Sequence, residues 1–381
     1  MRPAARLSAA IEVLDRVLGG AAVEQALTNW GRANRFAGSG DRYAIRDIVF
    51  EALRCKRSFA ALGGAMTGRG LVLGGVRAAG RDEAGLFSGE GHAPAVVTDE
   101  PGRQPGGNEA LDVPDWLAPH LHHSLGTDFA PIMRAMQDRA KVFLRVNLAR
   151  GTRDFVARLL AEDGIETVPC SINTALEVTE NERKIQQSSA YLQGLVELQD
   201  LSSQAVIAEI DLPVGARVLD YCAGGGGKTL ALAARGAVVD AYDADKGRMV
   251  DLPKRAARAG AHVTILDKVV LSAAYDLVLL DVPCSGSGSW RRDPQGKWRL
   301  TPDDLARTLA VQSAILDKTL GLIKPGGCLA YVTCSYLRAE NEAQIEGFQA
   351  RWPGWEPMKV RRYSPLTASD GFFLTLLTRK P

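Results

Sequence analysis

Leu277-Val278-Leu279-Leu280-Asp281-Val282-Pro283-Cys284-Ser285-Gly286 decides the reading of this chain. Four branched apolar residues that run into Asp, Pro and Gly predict a buried parallel strand whose carboxyl end opens into a loop. In doubly wound α/β sheets that end is where ligands bind. A carboxylate at the strand end and a thiol just past it are therefore placed for chemistry. A second cysteine closes another strand-like run, Leu329-Ala330-Tyr331-Val332-Thr333-Cys334, so both thiols are expected on one edge of one sheet.

Working outward, strand-like segments at 216–221, 238–242, 263–266, 277–281, 328–333 and 372–377 alternate with helix-like ones. This alternation predicts βαβ units and a mostly parallel sheet. The first strand runs into Cys222-Ala223-Gly224-Gly225-Gly226-Gly227-Lys228-Thr229, where glycines let backbone N–H groups approach a ligand closely. A phosphate loop of the NTPase kind needs glycine where Cys222 stands, and a dinucleotide fingerprint needs glycine where Thr229 or Leu230 stands. S-adenosylmethionine remains, since it carries no phosphate and asks for close backbone approach plus a carboxylate on its ribose. Asp243 lies 19 positions after Gly224, where it can bind ribose hydroxyls or cap a helix starting near Ala244. Asp267, after the third strand, would lie near an adenine on the same pattern.

Upstream, Leu7, Ile11, Leu14, Val17 and Leu18 recur at helical steps before Gly19-Gly20, and further helices are expected to about Leu62. Arg42, Arg46, Arg54, Lys56 and Arg57 gather on and beyond the third of them, either as a solvated face or as a phosphate-contacting patch. Residues 63–113 are rich in Gly, Ala and Pro and predict partial helix followed by a mobile connection. His120, His122 and His123 have no partners in a zinc-ligand pattern, and no metal site is expected. Around a strand at 142–147 and a helix at 152–162 sit Arg139, Lys141, Arg145, Arg150, Arg153 and Arg158, the densest basic stretch ahead of the sheet.

The 381 residues suffice for two or three domains, and 46% hydrophobic content excludes a disordered chain. Lys and Arg number 46 against 44 Asp and Glu, so total charge demands no polyanionic partner. Six scattered cysteines without a CxxC pair suit reduced thiols in the cytoplasm, and no stretch reaches the roughly 18 apolar residues of a membrane span.

Together these motifs resemble the RNA cytosine-C5 methyltransferases of the Sun/Fmu type. The Gly-rich loop with Lys228, the Asp281-to-Gly286 loop, and Thr333-Cys334-Ser335 followed by Glu340-Asn341 stand in family order. So do Asp243 with Arg248, Gln199-Asp200 with Ser202-Ser203-Gln204, and Asp370-Gly371-Phe372-Phe373. Gly225 stands where the family usually has proline, so the loop is expected to be more flexible. The resemblance implies a helical NusB-like RNA-binding domain with its connection over 1–110, a small α+β subdomain over 111–205, and a doubly wound, Rossmann-like S-adenosylmethionine-dependent domain over 206–381.

It also implies the chemistry. Cytosine C5 is a poor nucleophile until a thiolate adds to C6 and breaks the ring's aromaticity. The resemblance assigns that role to Cys334, release of the product to Cys284, and recognition of the cytosine edge to Asp281, with Lys228 meeting the substrate or holding Asp281. Cofactor contacts are implied for Cys222, Ala223, Gly224, Gly225, Gly226, Gly227, Lys228, Asp243, Arg248, Asp267 and Asp281. The implied partner is RNA, 16S rRNA in particular, acted on by a cytoplasmic monomer with no membrane partner. Arg291, Arg292, Lys297, Trp298 and Arg299 are expected to suit a strand with an extruded base, or the tryptophans to cover the sheet. Two other readings stay open: an RNA-binding or assembly factor that keeps the fold without catalysis, and DNA cytosine methylation, in which the Pro-Cys thiol itself would be the nucleophile.

Overall fold

The computed structural model describes residues 1–270 and 272–379. The chain divides into two compact units, Met1–Arg139 with Trp290–Arg299, and Ala140–Ser289 with Leu300–Pro381.

The first unit is helical. Its principal helices are α1 (Pro3–Leu18), α2 (Val23–Ala33), α3 (Ser39–Arg54), α4 (Lys56–Gly63) and α5 (Gly68–Ala78). Val13 and Leu14 of α1, Ile45 and Val49 of α3, and Leu71 and Leu73 of α5 meet in one core, as helical spacing of apolar residues requires. The glycines of α4 and α5 serve packing. A Cβ on Gly63 would come within 1.8 Å of the Gly70 carbonyl oxygen, and one on Gly74 within 1.9 Å of that of Phe59. Among the described residues no single helix is long and apolar enough to cross a membrane.

Trp290–Arg299 is an integral part of this unit. Lys297 Nζ donates to the Arg54 carbonyl (3.1 Å), Trp298 Nε1 to that of Leu53 (2.6 Å), and Gln295 bonds both Val23 N–H and the Ala21 carbonyl. Trp290, Arg291 and Lys297 are buried. Burial, opposed by the charge of Asp112, lowers the Lys297 ammonium to about 8. The reading of this segment as a surface for a nucleic-acid strand is thus corrected for Arg291 and Lys297, which are buried, and for Trp298, whose indole N–H is committed to the Leu53 carbonyl. Much of the basic patch on α3 is likewise committed: Arg54 is buried against the Gln137 carbonyl, and Arg46 pairs with Glu24.

The second unit holds two sheets. Strands β1 (Val142–Val146), β2 (Glu166–Pro169), β3 (Ala175–Glu180) and β4 (Val196–Leu198) form an antiparallel sheet ordered β2-β3-β1-β4. Its basic residues are also partly internal. Arg145 is buried with Nη1 on the Leu230 carbonyl, and Arg150 donates to the carbonyls of Gln193 and Arg258. The larger sheet comprises β5 (Arg217–Asp220), β6 (Val238–Ala241), β7 (Val263–Ile265), β8 (Tyr275–Asp281), β9 (Ile323–Thr333), β10 (Trp355–Tyr363) and β11 (Phe372–Arg379). Its order is β10-β11-β9-β8-β5-β6-β7, with β5 to β9 parallel and β10 and β11 antiparallel. Val278, Leu279 and Leu280 are wholly buried, which is why β8 reads as a continuous apolar run rather than an alternating one.

Candidate active site

The register of β8 on β9 brings the two cysteines together. Asp281 pairs with Val332, so Cys284 and Cys334 leave the carboxyl ends of adjacent parallel strands on the same edge. Their sulfurs lie 3.4 Å apart. The Cys284 thiol is held well above its ordinary range, first by its hydrogen bond with Cys334, then by burial, then by the charges of Cys334 and Glu340. Cys334 is lowered, chiefly by its hydrogen bond with Cys284, with help from Lys228 and Ser289 against burial and Asp281. The two thiols are thus set apart in acidity, with Cys334 the more acidic of the pair. The remaining cysteines differ. Burial lifts Cys55 to about 12 and Cys328 to about 11, and raises Cys222, as expected of inert packing groups.

Lys228, just inside the helix Gly227–Ala233, donates through Nζ to Asp281 (2.7 Å) and lies 5.0 Å from the centre of the Phe372 ring. Burial opposes its charge, but Asp281 more than offsets this and keeps it a cation. Of the two roles left open for Lys228, the structure shows the hold on Asp281.

The Gly-rich turn opens between β5 and that helix. Gly224 and Gly226 adopt φ of 50° and 82°, in the left-handed region that disfavours a side chain. A Cβ on Gly226 would also come within 2.2 Å of Leu252. Asp243, buried at the end of β6, accepts Gly224 N–H (2.9 Å) and Arg248 Nη1 (3.2 Å) on one oxygen and Asp245 N–H (2.9 Å) on the other. The turn that follows is capped by Asp245, which accepts Gly247 N–H, so capping is not the role of Asp243. Asp267 is exposed and pairs with Lys246 at 2.6 Å. The loop's expected looseness at Gly225 meets a restraint. Arg255 Nη1 donates to the Gly225 carbonyl, and Arg255 Nη2 is anchored on buried Glu197 at 2.9 Å.

Asp220, not singled out from the sequence, belongs to the same site. It is buried at the end of β5, with Oδ2 accepting from Thr229 Oγ1 (2.6 Å) and Oδ1 without a partner among the described residues. Burial raises it to about 7, opposed by Thr229 and supported by Asp281. A carboxylate that binds its proton more tightly when folded stabilises the fold fully below its unfolded value near 3.8, and loses that contribution as pH rises toward 7. Wild type should therefore lose on the order of 4 kcal/mol from this group between about pH 4 and 8. Asp220→Asn should flatten the slope, seen in denaturant midpoints at the two pH values; an unchanged slope would refute the assignment.

The sheet order, the Gly-rich turn after its central strand and the paired strand-end thiols are those of a Rossmann-like methyltransferase. Residues 207–377 match the family described as 16S rRNA methyltransferase RsmB/F, and residues 113–185 match the RsmF/B-like ferredoxin-like domain. The chain belongs to this Sun/Fmu-type RNA methyltransferase family. Among its relatives, the ribosomal RNA small subunit methyltransferase B of Xylella fastidiosa is 36% identical over 247 residues, covering 62% of this chain and 59% of that protein. The chain thus matches about three fifths of that relative's length. A methyltransferase homolog protein from Pyrococcus horikoshii is 26% identical, with a TM-score of 0.61 over 71% of this chain and 96% of its own. The structure of PH0851 shares the fold across 100% of this chain and 99% of its own, with a TM-score of 0.79 at 24% identity.

Proposed function

We propose that this protein methylates C5 of cytosine in RNA, 16S rRNA in particular, using S-adenosylmethionine, as a cytoplasmic monomer. The observation that carries the reading is the pair of sulfurs 3.4 Å apart beside the Lys228–Asp281 ion pair.

The Gly224–Gly227 turn, Asp243 with Arg248, and the buried Asp220 oxygen that has no partner among the described residues fit a cofactor that carries hydroxyls and positive charge. When bound, S-adenosylmethionine supplies an electrophilic methyl group; Cys222, Ala223, the four glycines, Asp243, Asp267 and Asp281 would line its site. Cys334 adds to cytosine C6 as thiolate; Asp281, steadied by Lys228, accepts from the cytosine N4–H, and a proton delivered to N3 offsets the charge that develops there. The resulting enamine makes C5 nucleophilic. Once Cys334 is bonded to carbon, both its hydrogen bond with Cys284 and its negative charge are gone. These are two of the causes that hold the Cys284 proton in place, so Cys284 can release that proton to solvent and, as thiolate, take the C5 proton. The electrons of that C–H bond re-form the C5–C6 double bond and expel the Cys334 thiolate. The N-terminal helices, read as a NusB-like domain, would select the RNA.

The test is transfer of a labelled methyl group to RNA. Label in 5-methylcytosine at a unique rRNA position is the expected result; a protein that binds RNA and S-adenosylmethionine yet transfers nothing would overturn the reading in favour of an assembly factor. Arg255→Ala, which frees the Gly225 carbonyl, should raise KM for S-adenosylmethionine about tenfold, the equivalent of one charge-assisted hydrogen bond. Its kcat should change little. Unchanged KM would show that the turn holds without its clamp.

A further inference from the structure

Glu340 is wholly buried, and its carboxylate accepts four hydrogen bonds. Oε1 takes Ser285 N–H (2.7 Å) and Gln312 Nε2 (3.2 Å); Oε2 takes the hydroxyls of Ser285 (2.5 Å) and Ser335. Ser285 follows Cys284 and Ser335 follows Cys334, so a single carboxylate fastens the residue after each thiol. Gln312 also donates to the carbonyl of Pro283 (2.9 Å), fixing the residue before Cys284. Asn341 does likewise for the other thiol: it accepts from Thr333 Oγ1 (2.6 Å) and donates to the Ser335 carbonyl (2.9 Å). A burial this complete is tolerable for an anion only because every donor is aimed at it.

The arrangement is asymmetric in charge. Glu340 is among the charges that keep a proton on Cys284, whereas the cation of Lys228 acts on Cys334. The other titratable groups nearby are Tyr331, whose hydroxyl donates to the Glu340 carbonyl (2.7 Å), and Asp281, which acts on Cys334. From the helix Pro302–Thr319 comes the neutral Gln312.

We propose that Glu340 is a positioning residue which holds the two thiol loops in register and assigns the nucleophile's role to Cys334 rather than Cys284. The roles named rest on the methyltransferase reading, but the charge sorting does not require it. It can be read on the full chain without RNA or methyl donor, by iodoacetamide alkylation followed at each cysteine by mass spectrometry from neutral to mildly alkaline pH. In wild type Cys334 should be alkylated first. Glu340→Gln removes the charge while its amide oxygen keeps Ser285 N–H and the serine hydroxyls turn to accept from its nitrogen. Cys284 alkylation should then accelerate about threefold or more relative to Cys334. A wild-type protein in which Cys284 reacts first would overturn the proposal, and this needs no variant to fold. So would an unchanged Cys284 rate in Glu340→Gln protein that melts normally. Absence of methyl transfer with the alkylation order intact would instead count against the proposed function alone.

Discussion

Cys334→Ala is expected to reduce methyl transfer by on the order of 10^3-fold or more, as removal of a covalent nucleophile does, and to abolish the adduct with 5-fluorocytosine RNA. Little else should change, since alanine removes one sulfur from a half-buried site and leaves the backbone bonds of Ser335 and Gly288 intact. Cys284→Ala should behave differently. The Cys334 thiolate still adds, but the base for the C5 proton is missing, so the protein should accumulate on ordinary RNA as a slowly migrating covalent complex when S-adenosylmethionine is present. Denaturing gels of both variants decide the matter. Loss of the adduct in Cys284→Ala with retention in Cys334→Ala would exchange the two roles and favour the order of events read for DNA cytosine methylation.

Gly288→Ala is expected to cost about 3 kcal/mol, toward the upper end for overpacking, and activity with it. Gly288 and Gly371 cross backbone to backbone: a Cβ on Gly288 would fall 2.2 Å from the Gly371 carbonyl oxygen and 2.6 Å from its Cα. Neither atom can rotate away as a side chain would. The crossing also serves the nucleophile, because Gly288 N–H donates to the Cys334 carbonyl (2.9 Å) and Gly371 N–H to that of Gly288 (2.8 Å). A shift of about 1 Å here displaces a thiol and should lower kcat about 10^2-fold. Gly347→Ala, in the helix Glu342–Arg351, is the matched control, since its Cβ would meet only the Arg351 guanidinium at 3.6 Å. Equal denaturation midpoints for the two variants would refute the crossing's importance.

The sheet was legible because parallel strands buried on both faces must be apolar throughout, and β8 announces this in four consecutive residues. The strand-end position of Asp281, Cys284 and Cys334 followed from the same logic. What stayed hidden is what depends on partners remote in sequence. Nothing in the sequence around Lys297 shows that its ammonium meets a carbonyl 243 residues away, so a lysine read as part of a surface cluster proves to be core. Asp220 escaped notice because a carboxylate ending a strand becomes telling only when burial leaves one oxygen unmatched. Arg255 was invisible as the restraint on Gly225, since the loop and its clamp lie 30 positions apart.

The decapeptide Trp290–Arg299 bears on how the protein can be divided. A fragment starting at Ala140 would retain these ten residues but lose the carbonyls of Leu53 and Arg54 that receive Trp298 and Lys297. It would expose two indoles directly downstream of Cys284, an adhesive flap on that half. Limited proteolysis between the halves should therefore leave both pieces associated, and dissecting them cleanly would require excising 290–299 as well as cutting near 139.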